Sequence, residues 1–528
     1  VQALAVLPLE HPDPDPVTAY LRNGLTEDLT ERIRRLPYLR VVPYSAVARL
    51  RDTVADLRSL GKELNIQAVV RGSILEKGDR ITLRLQVVRV EDGEALWEER
   101  FEGGFASLPR ALDSAARGIG QTLGMPSSGL TDRQLALRTP ADGEAYRLYL
   151  QGIHHARRIA RDDNALSIQL FARSLARDSS YLPSLVGLAE SQLTGYERHW
   201  NESRGVLEEA ERNCRRALAV DSLSAQAVSV LGSIALARGD EEAALPLLAQ
   251  AVTLDPRNLP ALSRLGVYYL DRDPPRAVTY LTDARRVDPT NADVVSNLAV
   301  GYAQMRDHPR ALEAFREADR LRPGESDILV NLGYFYERLG MDDSARAAYT
   351  RAVKANPRNE LAHENLATLL LARGLYPQAE SALTNGATML QGDYRLVYLL
   401  GLTYRLAGRR EEAVRVLAHG ARLAEGVARA EPALPDPAAY LALFRARLND
   451  ARGSEEAIRS ALRTGGENPE VRILVSRAYA ILGNRKGMLA HFLRARELSP
   501  EYDAAYLSTA VDFGAYRRDP EMLAIAAR

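Results

Sequence analysis

Apolar, small and aromatic residues recur in one order along the middle of the chain. Residues 292–323 and 326–357 are two copies of the same pattern, offset by 34 residues. Eight positions match in kind between the copies: Val295 with Leu329, Leu298 with Leu332, Ala299 with Gly333, Tyr302 with Tyr336, Ala311 with Ala345, Phe315 with Tyr349, Ala318 with Ala352, and Pro323 with Pro357. Each copy predicts a pair of helices, in which small residues allow close approach and bulky residues fill the adjacent space. The final proline ends the second helix, because it lacks an amide donor.

A period of 34 residues with small residues at fixed places is the signature of the tetratricopeptide repeat. Further copies extend the array in both directions, beginning near Glu144. The ninth copy is displaced by ten residues because of an insertion near residues 424–437, which we expect to form an extended helix end and a projecting loop. The pattern predicts a mainly α fold, a right-handed α-solenoid of about ten helix pairs plus terminal helices over residues 144–528.

Residues 1–125 do not repeat, and they predict a small α/β domain. The predicted strands are apolar or alternating segments at residues 3–9, 39–43, 68–75, 81–87 and 95–101. The predicted helices lie at residues 21–33, 56–64 and 108–123. Crossover helices come first and an antiparallel meander follows, so we expect a mixed sheet. Residues 126–143 are polar and contain Gly and Pro, which predicts an interdomain linker.

Four segments of this domain resemble a known family. They are VLPL at residues 6–9, GLTEDL at 24–29, VRGS at 70–73 and LWEERF at 96–101. These segments are similar to the TolB amino-terminal-like domain. In bacteria that domain often follows an effector domain and a membrane helix, and it precedes tetratricopeptide repeats. The resemblance therefore implies the same order here, and it implies no catalytic residue.

Charge and cysteine content exclude several classes of protein. Lys+Arg and Asp+Glu are both 69, so the formal net charge is zero. A nucleic-acid-binding protein normally carries an excess of basic residues, so we expect no nucleic-acid partner. The single cysteine, Cys214, excludes an intrachain disulfide and a cysteine-based zinc site. Its place in the repeat predicts a buried packing residue.

Membrane and targeting signals are absent from the sequence. There is no run of 18 apolar residues and no signal peptide, so we expect no membrane insertion by this chain. The sequence begins at Val1 without methionine, from which we expect that a signal, an anchor or a whole domain has been removed upstream. A single cysteine is compatible with an extracytoplasmic site, the periplasm or the cell surface of a bacterium, and the compartment stays open.

No constellation of an enzyme is present, so we expect neither catalysis nor a cofactor nor a metal. The chain lacks a phosphate-binding loop, a dinucleotide-binding fingerprint, a zinc-protease motif and a serine elbow. His154 and His155 are adjacent on a predicted helix, so their side chains point about 100° apart and cannot chelate one metal without a distant third ligand. We interpret them as ordinary helix residues.

One polar pattern predicts binding. Asn297, Asn331 and Asn365 are each 34 residues apart, so they occupy the same place in the first helices of three successive repeats. An amide side chain donates to a carbonyl and accepts from an amide at once, which suits the backbone of an extended peptide. The alternative is that these asparagines only brace neighbouring backbone. Four residues are expected beside them and would set side-chain preference: Gln304, Tyr334, Arg338 and Glu364.

Two functions follow as hypotheses. The first is a non-enzymatic interaction scaffold whose groove binds a protein or an extended peptide, as part of a membrane-anchored bacterial signalling or envelope protein. The alternative is a structural subunit that self-assembles into a filament or another homo-oligomer through heterologous contacts between solenoid ends. The apolar tail motivates this alternative, and its candidate contact residues are Met522, Leu523 and Ile525.

Overall fold

The computed structural model consists mostly of helix. It describes residues 3–11, 19–34, 36, 39–44, 46–47, 56–78, 80–124, 139–140, 142–158, 160–201, 203–390, 392–499 and 501–527. Within these residues there are 25 α-helices, one 3-10 helix and five β-strands. Their contacts divide the chain into two compact units, which we call unit 1 (Val1–Arg306) and unit 2 (Asp307–Arg528).

Unit 1 begins with a five-stranded mixed sheet. The strands are β1 (Ala3–Val6), β2 (Arg40–Val42), β3 (Ala68–Lys77), β4 (Arg80–Arg89) and β5 (Ala95–Gly103). The helices that accompany them are α1 (Ala19–Arg34), α2 (Leu57–Leu64) and α3 (Leu108–Thr122). The sheet order is β2-β1-β3-β4-β5, with parallel pairing around β1 and antiparallel pairing from β3 onward. The predicted mixed sheet is therefore confirmed.

Burial along the strands follows their place in this sheet. All four residues of β1 are buried, as expected for a central parallel strand covered on both faces. Strand β5 lies at the edge and is largely solvent-accessible, and its charged residues suit an unpaired edge. One face of the sheet packs on α1 and α3, and the other face packs on α2. The domain thus has two apolar cores, one on each face of the sheet, and helices cover both faces.

The remaining helices of unit 1 form four consecutive pairs, followed by a single helix. They are α4 (Gly143–Ala156), α5 (Arg161–Arg177), α6 (Leu182–Glu197), α7 (Arg204–Val220), α8 (Ala225–Ala237), α9 (Glu241–Leu254), α10 (Leu259–Tyr269), α11 (Pro274–Val287) and α12 (Ala292–Gln304). The predicted linker, residues 126–143, lies mostly outside the described residues, and the predicted domain boundaries stay predictions. Asp142 caps α4 by accepting a hydrogen bond from the Glu144 amide.

Unit 2 continues with helices of the same kind. They are α13 (His308–Leu321), α14 (Ser326–Arg338), α15 (Asp342–Ala355), α16 (Glu360–Ala372), α17 (Tyr376–Met389), α18 (Tyr394–Leu406), α19 (Arg410–Ala430), α20 (Asp436–Arg447), α21 (Ala451–Gly465), α22 (Pro469–Leu482), α23 (Arg485–Leu498), α24 (Ala504–Thr509) and α25 (Pro520–Ala527), with a 3-10 helix at Val511–Tyr516. Helices α14 to α23 form five consecutive pairs.

Small residues at the repeat positions allow the two helices of a pair to approach. A Cβ atom added at Gly333 would lie 2.5 Å from the ring of Tyr349, which is fully buried. A Cβ atom at Gly401 would lie 2.6 Å from the side chain of Leu417 in the same way. The larger partner fills the space that the missing side chain leaves, which is how the predicted small-large alternation produces tight packing.

The insertion before the ninth pair takes a different form from the expected one. Helix α19 is extended to 21 residues, as predicted. Its last turns do not project, because Ala424 is buried and Glu425 accepts a hydrogen bond from Arg445 of α20. The short loop after it, residues 431–434, is exposed, as are Gly426, Arg429 and Ala430 of the last turns. The extra residues therefore enlarge the packing between two pairs.

Candidate functional site

The first helices of the pairs in unit 2 line one surface, which we call the inner face of unit 2. These first helices are α14, α16, α18, α20 and α22, and each of the first four contacts the next one along the chain. The residues that follow the last pair return to this surface, since α24 contacts α16 and the 3-10 helix contacts α22. We call residues 501–516 the C-terminal segment. The chain thus places a stretch of its own sequence on the inner face.

Two of the predicted asparagines lie on this face. Asn331 is in α14 and Asn365 is in α16, and both side chains are partly exposed. Within the described residues neither amide makes a hydrogen bond. Asn297 is in α12 and belongs to unit 1, where its partly exposed amide is also without a hydrogen bond among the described residues. The amides are therefore available to a ligand backbone.

The C-terminal segment contacts two of the predicted flanking residues. Arg338 forms a two-pronged ion pair with Asp503, in which Nη1 donates to Oδ1 at 2.9 Å and Nη2 donates to Oδ2. Tyr334 is partly buried beside this pair, and burial together with the negative charge of Glu501 raises its pKa to about 12. The residues predicted to contact a peptide thus lie against a peptide segment of the chain itself.

The other two flanking residues differ in their surroundings. Glu364 in α16 accepts a hydrogen bond of 3.4 Å from the hydroxyl of Tyr440, and burial raises its pKa although Arg395 opposes the shift. Gln304 donates to Asp271 at 3.0 Å within unit 1. The structure therefore brings Asn331, Tyr334, Arg338, Glu364 and Asn365 together in unit 2, while Asn297 and Gln304 belong to unit 1.

A polar cluster that the sequence did not point to lies further along the inner face. The Tyr398 hydroxyl contacts both carboxylate oxygens of Asp512, at 3.0 and 3.1 Å. Arg477 Nε donates to the same carboxylate at 2.7 Å, and Arg447 Nη2 donates to it as well. The Arg477 guanidinium also lies 5.6 Å from the centre of the Tyr398 ring. We call Tyr398, Arg447 and Arg477 the carboxylate cradle.

The Asp512 carboxylate and the two guanidinium groups that hold it are largely buried. The Asp512 side chain is 1% exposed, while those of Arg447 and Arg477 are 14% and 16% exposed. Burial disfavours a charged carboxylate, but the two guanidinium groups outweigh it and hold the pKa of Asp512 below its ordinary value. The cradle side chains come from α18, α20 and α22, so three consecutive first helices converge on one carboxylate.

The apolar tail is only partly available for contacts between copies. Met522 is fully buried and Ile525 is 6% exposed, and both pack with Phe492 and Phe513 in the core that closes unit 2. Leu523 is 44% exposed. Self-assembly through this tail stays a prediction, and Leu523 is the candidate residue that presents an apolar side chain to solvent.

The histidine pair and the cysteine have ordinary surroundings. His155 Nδ1 lies 2.6 Å from Asp163, and His154 lies 3.4 Å from the amide of Asn23. Among the described residues, no group of three His, Cys, Asp or Glu side chains is placed to hold a metal. Cys214 is buried, and burial raises its pKa to about 12, so its thiol stays protonated at neutral pH.

The α/β domain packs on the repeats of unit 1. Helix α1 packs on α4, and a Cβ atom added at Gly24 would lie 2.9 Å from the carbonyl oxygen of Leu150. The Tyr146 hydroxyl donates to Asp28 at 2.5 Å. At the end of α1, Arg34 donates to the backbone carbonyl of Arg257, which precedes α10. The domain thus contacts repeats from the first to the fourth pair.

Comparisons with protein families identify the repeats. The description "Tetratricopeptide repeat" belongs to the models that match residues 203–258, 267–326 and 326–369. A model described as "HilA/YgeH-like transcriptional regulator, second domain" matches residues 1–111. Residues 1–111 are therefore similar to this regulator domain. The expected resemblance to the TolB amino-terminal-like domain stays a prediction. In the described part of the chain, no helix combines the length and apolar character needed to cross a membrane.

Individual proteins that resemble this chain have low sequence identity to it. "Putative adenylate cyclase 3" of Rhizobium meliloti (strain 1021) is 26% identical over 203 residues, which cover 38% of this chain and 34% of that protein. The alignment thus spans about a third of the length of this curated relative. A tetratricopeptide repeat protein from Parabacteroides merdae is 17% identical, with a TM-score of 0.38 over 48% of this chain and 97% of that one.

A third protein, YrrB, is described as "a TPR protein with an unusual peptide-binding site". It is 19% identical, with a TM-score of 0.29 over 33% of this chain and 91% of that one. Proteins built from tetratricopeptide repeats are generally interaction scaffolds that bind protein or peptide partners and are generally not enzymes. The repeats and the sheet together show a tetratricopeptide-repeat α-solenoid with an N-terminal mixed-sheet α/β domain.

Proposed function

We propose that this chain is a non-enzymatic scaffold whose inner face in unit 2 binds an extended peptide of a partner protein. The observation that carries the proposal is the pair of unpartnered amides, Asn331 and Asn365, beside a segment of the chain that Arg338 already holds. A partly exposed amide with free donor and acceptor groups suits a peptide backbone, whereas a bracing amide would be hydrogen-bonded.

The amides and their neighbours divide the work of recognition. Hydrogen bonds from the two asparagines give affinity that is independent of partner sequence. Tyr334, Arg338 and Glu364 lie beside them and select partner side chains through one aromatic ring, one cation and one anion. We expect no nucleic-acid partner, because the chain has equal numbers of basic and acidic residues.

The kind of protein in which this scaffold acts is proposed from partial similarities to other proteins. The resemblance to the TolB amino-terminal-like domain, and the partial similarity to a regulator domain and to a protein named as a cyclase, support a bacterial signalling or envelope protein with a membrane anchor. In that setting the α/β domain and the repeats receive a partner protein, and an output domain elsewhere responds.

The test is the double substitution Asn331→Ala with Asn365→Ala. Loss of two neutral hydrogen bonds of about 0.5–1.5 kcal/mol each weakens binding of a selected peptide roughly tenfold. Peptides are selected from a display library on the wild-type chain, and their affinities are then measured by calorimetry. The matched control is Asn385→Ala on α17, an exposed asparagine of a second helix. Equal affinities for wild type and the double variant would remove the inner face as the site.

Self-assembly is the second candidate, and the exposed side chain of Leu523 favours it. If copies join through this tail, Leu523→Asp abolishes assembly, because a buried unpaired carboxylate disfavours an apolar contact. Electron microscopy of a dilution series checks this, with the exposed Leu434→Asp as a control at another surface loop. Assemblies that persist in Leu523→Asp would contradict a role for the tail.

A further inference from the structure

The carboxylate cradle has the features of a recognition site. Its three side chains all come from the repeats, whereas the carboxylate that they hold comes from the C-terminal segment. Two guanidinium groups donate to this single carboxylate, and the carboxylates of Glu364 and Glu470 also interact electrostatically with Arg477. Removing the occupant would leave two largely buried cations without the carboxylate to which both donate, which is costly unless another anion takes its place.

The present occupant also leaves one donor unused. The Nε–H of Arg447 is buried and has no hydrogen-bond partner among the described residues. Arginine binds a carboxylate best through two parallel N–H groups, and here only Nη2 of Arg447 donates to the Asp512 carboxylate. A carboxylate that sits slightly differently would satisfy both. The cradle therefore has capacity for an anion beyond what Asp512 uses.

The residues around Asp512 define what else an occupant needs. Phe513 follows directly, is fully buried, and lies 5.5 Å from Phe492 in an edge-to-face contact. Asp503 lies nine positions before Asp512 and occupies Arg338. The segment thus presents an aspartate, and then an aspartate followed by an aromatic residue, to matching groups on the inner face.

We propose that the cradle anchors an acidic-peptide site, that the C-terminal segment occupies it in cis, and that a partner segment with an aspartate followed by an aromatic residue binds by displacing it. This proposal rests on the proposed function and names the class of its ligand. Because the site is open only in the fraction of molecules whose segment is released, the apparent affinity for a partner is reduced by that fraction.

The probe is a fluorescent synthetic peptide with the sequence of residues 501–516, together with a second peptide whose final aspartate is replaced by asparagine. Both are titrated into the full chain and into its Asp512→Asn variant, and fluorescence anisotropy is recorded. The variant weakens the cis occupant and leaves the cradle intact. We expect it to bind the acidic probe at least about tenfold more tightly than wild type, since a charge-assisted hydrogen bond is worth about that factor or more.

Two controls distinguish release of residue 512 from the carboxylate cradle from a general destabilisation of the C-terminal end of the chain. Asp519→Asn weakens the N-cap of α25 and its pair with Arg485 without touching the cradle, and it gives no gain in affinity if the proposal holds. Adding Arg447→Met to Asp512→Asn removes the gain. Circular dichroism verifies that each variant is folded.

The proposal is overturned if Asp512→Asn binds the acidic probe no more tightly than wild type, or binds both probes equally well. The same holds if Asp519→Asn gives the same gain. Those outcomes leave the asparagine-dependent binding proposed above untouched, because that test uses selected peptides and different residues. Conversely, a failure of the asparagine test leaves the affinity difference between the two probes intact.

Discussion

In both units another part of the chain packs on the repeats, and we call this part the cover of the unit. The two covers differ in kind. In unit 1 the cover is a folded domain whose core is continuous with that of the first repeats, since Tyr146, Leu150 and Tyr181 pack into it. In unit 2 the cover is a short segment held through Asp503 and Asp512 on guanidinium groups. Both covers bury apolar side chains, which in the segment are Leu507 and Phe513. The segment is in addition held by two carboxylates on guanidinium groups, and a ligand that offers the same groups competes for these contacts.

The buried charges of the two covers also differ in balance. Arg32 of α1 is 2% exposed and pairs with both Asp28 and Asp113. One cation therefore meets two anions, and all three residues belong to the α/β domain. The carboxylate cradle reverses this ratio and draws its anion from outside the repeats. The first arrangement is satisfied internally, and the second is open to substitution by another carboxylate.

The largest effect is expected where the charged network is part of the core of unit 1. Arg32→Met leaves Asp28 and Asp113 buried without their shared cation, and breaking such a pair costs about 3–5 kcal/mol. Urea denaturation of the full chain measures the loss in the free energy of unfolding. Hydrogen-exchange mass spectrometry of residues 19–34 then locates it in α1. Arg100→Met, which breaks the exposed pair with Glu102 on β5, is the control and changes the free energy of unfolding by less than about 1 kcal/mol. A similar loss in both variants would contradict the comparison.

An intermediate effect is expected when acid protonates the occupant of the cradle. The titratable and charged groups that interact with Asp512 or with its partners are Tyr398 from α18, Arg447 and Tyr440 from α20, Arg477 and Glu470 from α22, Tyr506 from α24 and Glu364 from α16. The pKa of Asp512 is lowered in the folded state. Its contribution to docking is therefore complete above the ordinary pKa of about 3.9 and is lost as pH falls through the lowered value.

A fluorophore attached at Gly514→Cys reports this release. An added Cβ at Gly514 meets no atom within 4 Å, and the buried Cys214 is not expected to compete for the label. The signal is expected to stay constant from about pH 8 to pH 5 and to change below about pH 4. The same label in Asp512→Asn loses the acid step that belongs to this carboxylate. Release near neutral pH in the wild type would argue against the ion pairs as the anchor.

The smallest effect is expected at the outer surface of either unit. Arg272 pairs with Glu241 in unit 1, and Arg373 pairs with Asp342 in unit 2, with side chains about one third to one half exposed. Exposed pairs contribute about 0–1 kcal/mol because water and salt screen them. Glu241→Gln and Asp342→Asn therefore shift the urea midpoint only slightly. A loss above about 2 kcal/mol in either variant would show that the outer surface, and not the inner face, carries the difference between the units.

Local pattern predicted the repeats because their determinants lie within one period. The packing of Gly333 on Tyr349, for example, joins residues of one predicted helix pair. The buried place of Cys214 followed from the same register, and so did the positions of Asn331 and Asn365 on first helices. The mixed sheet was predicted because each strand has its own apolar run or alternation.

The carboxylate cradle could not be predicted, because its members share no local pattern. Asp512 is separated by 114 residues from Tyr398, by 65 from Arg447 and by 35 from Arg477. The sequence offered one faint signal, an aspartate between Val511 and Phe513 in an otherwise apolar stretch. That signal indicates a buried acid that needs partners, but it does not name them.

The sequence by itself therefore determined the period, the helix pairs, the individual strands and the residues that lie on first helices, since each of these depends on the pattern within a short stretch of the chain. Only the tertiary structure decided which part of the chain packs on the repeats of each unit. That choice depends on how successive pairs stack, which brings residues from distant helices to one place. The C-terminal segment is held because the stacked helices place Arg338, Arg447 and Arg477 where its two aspartates lie.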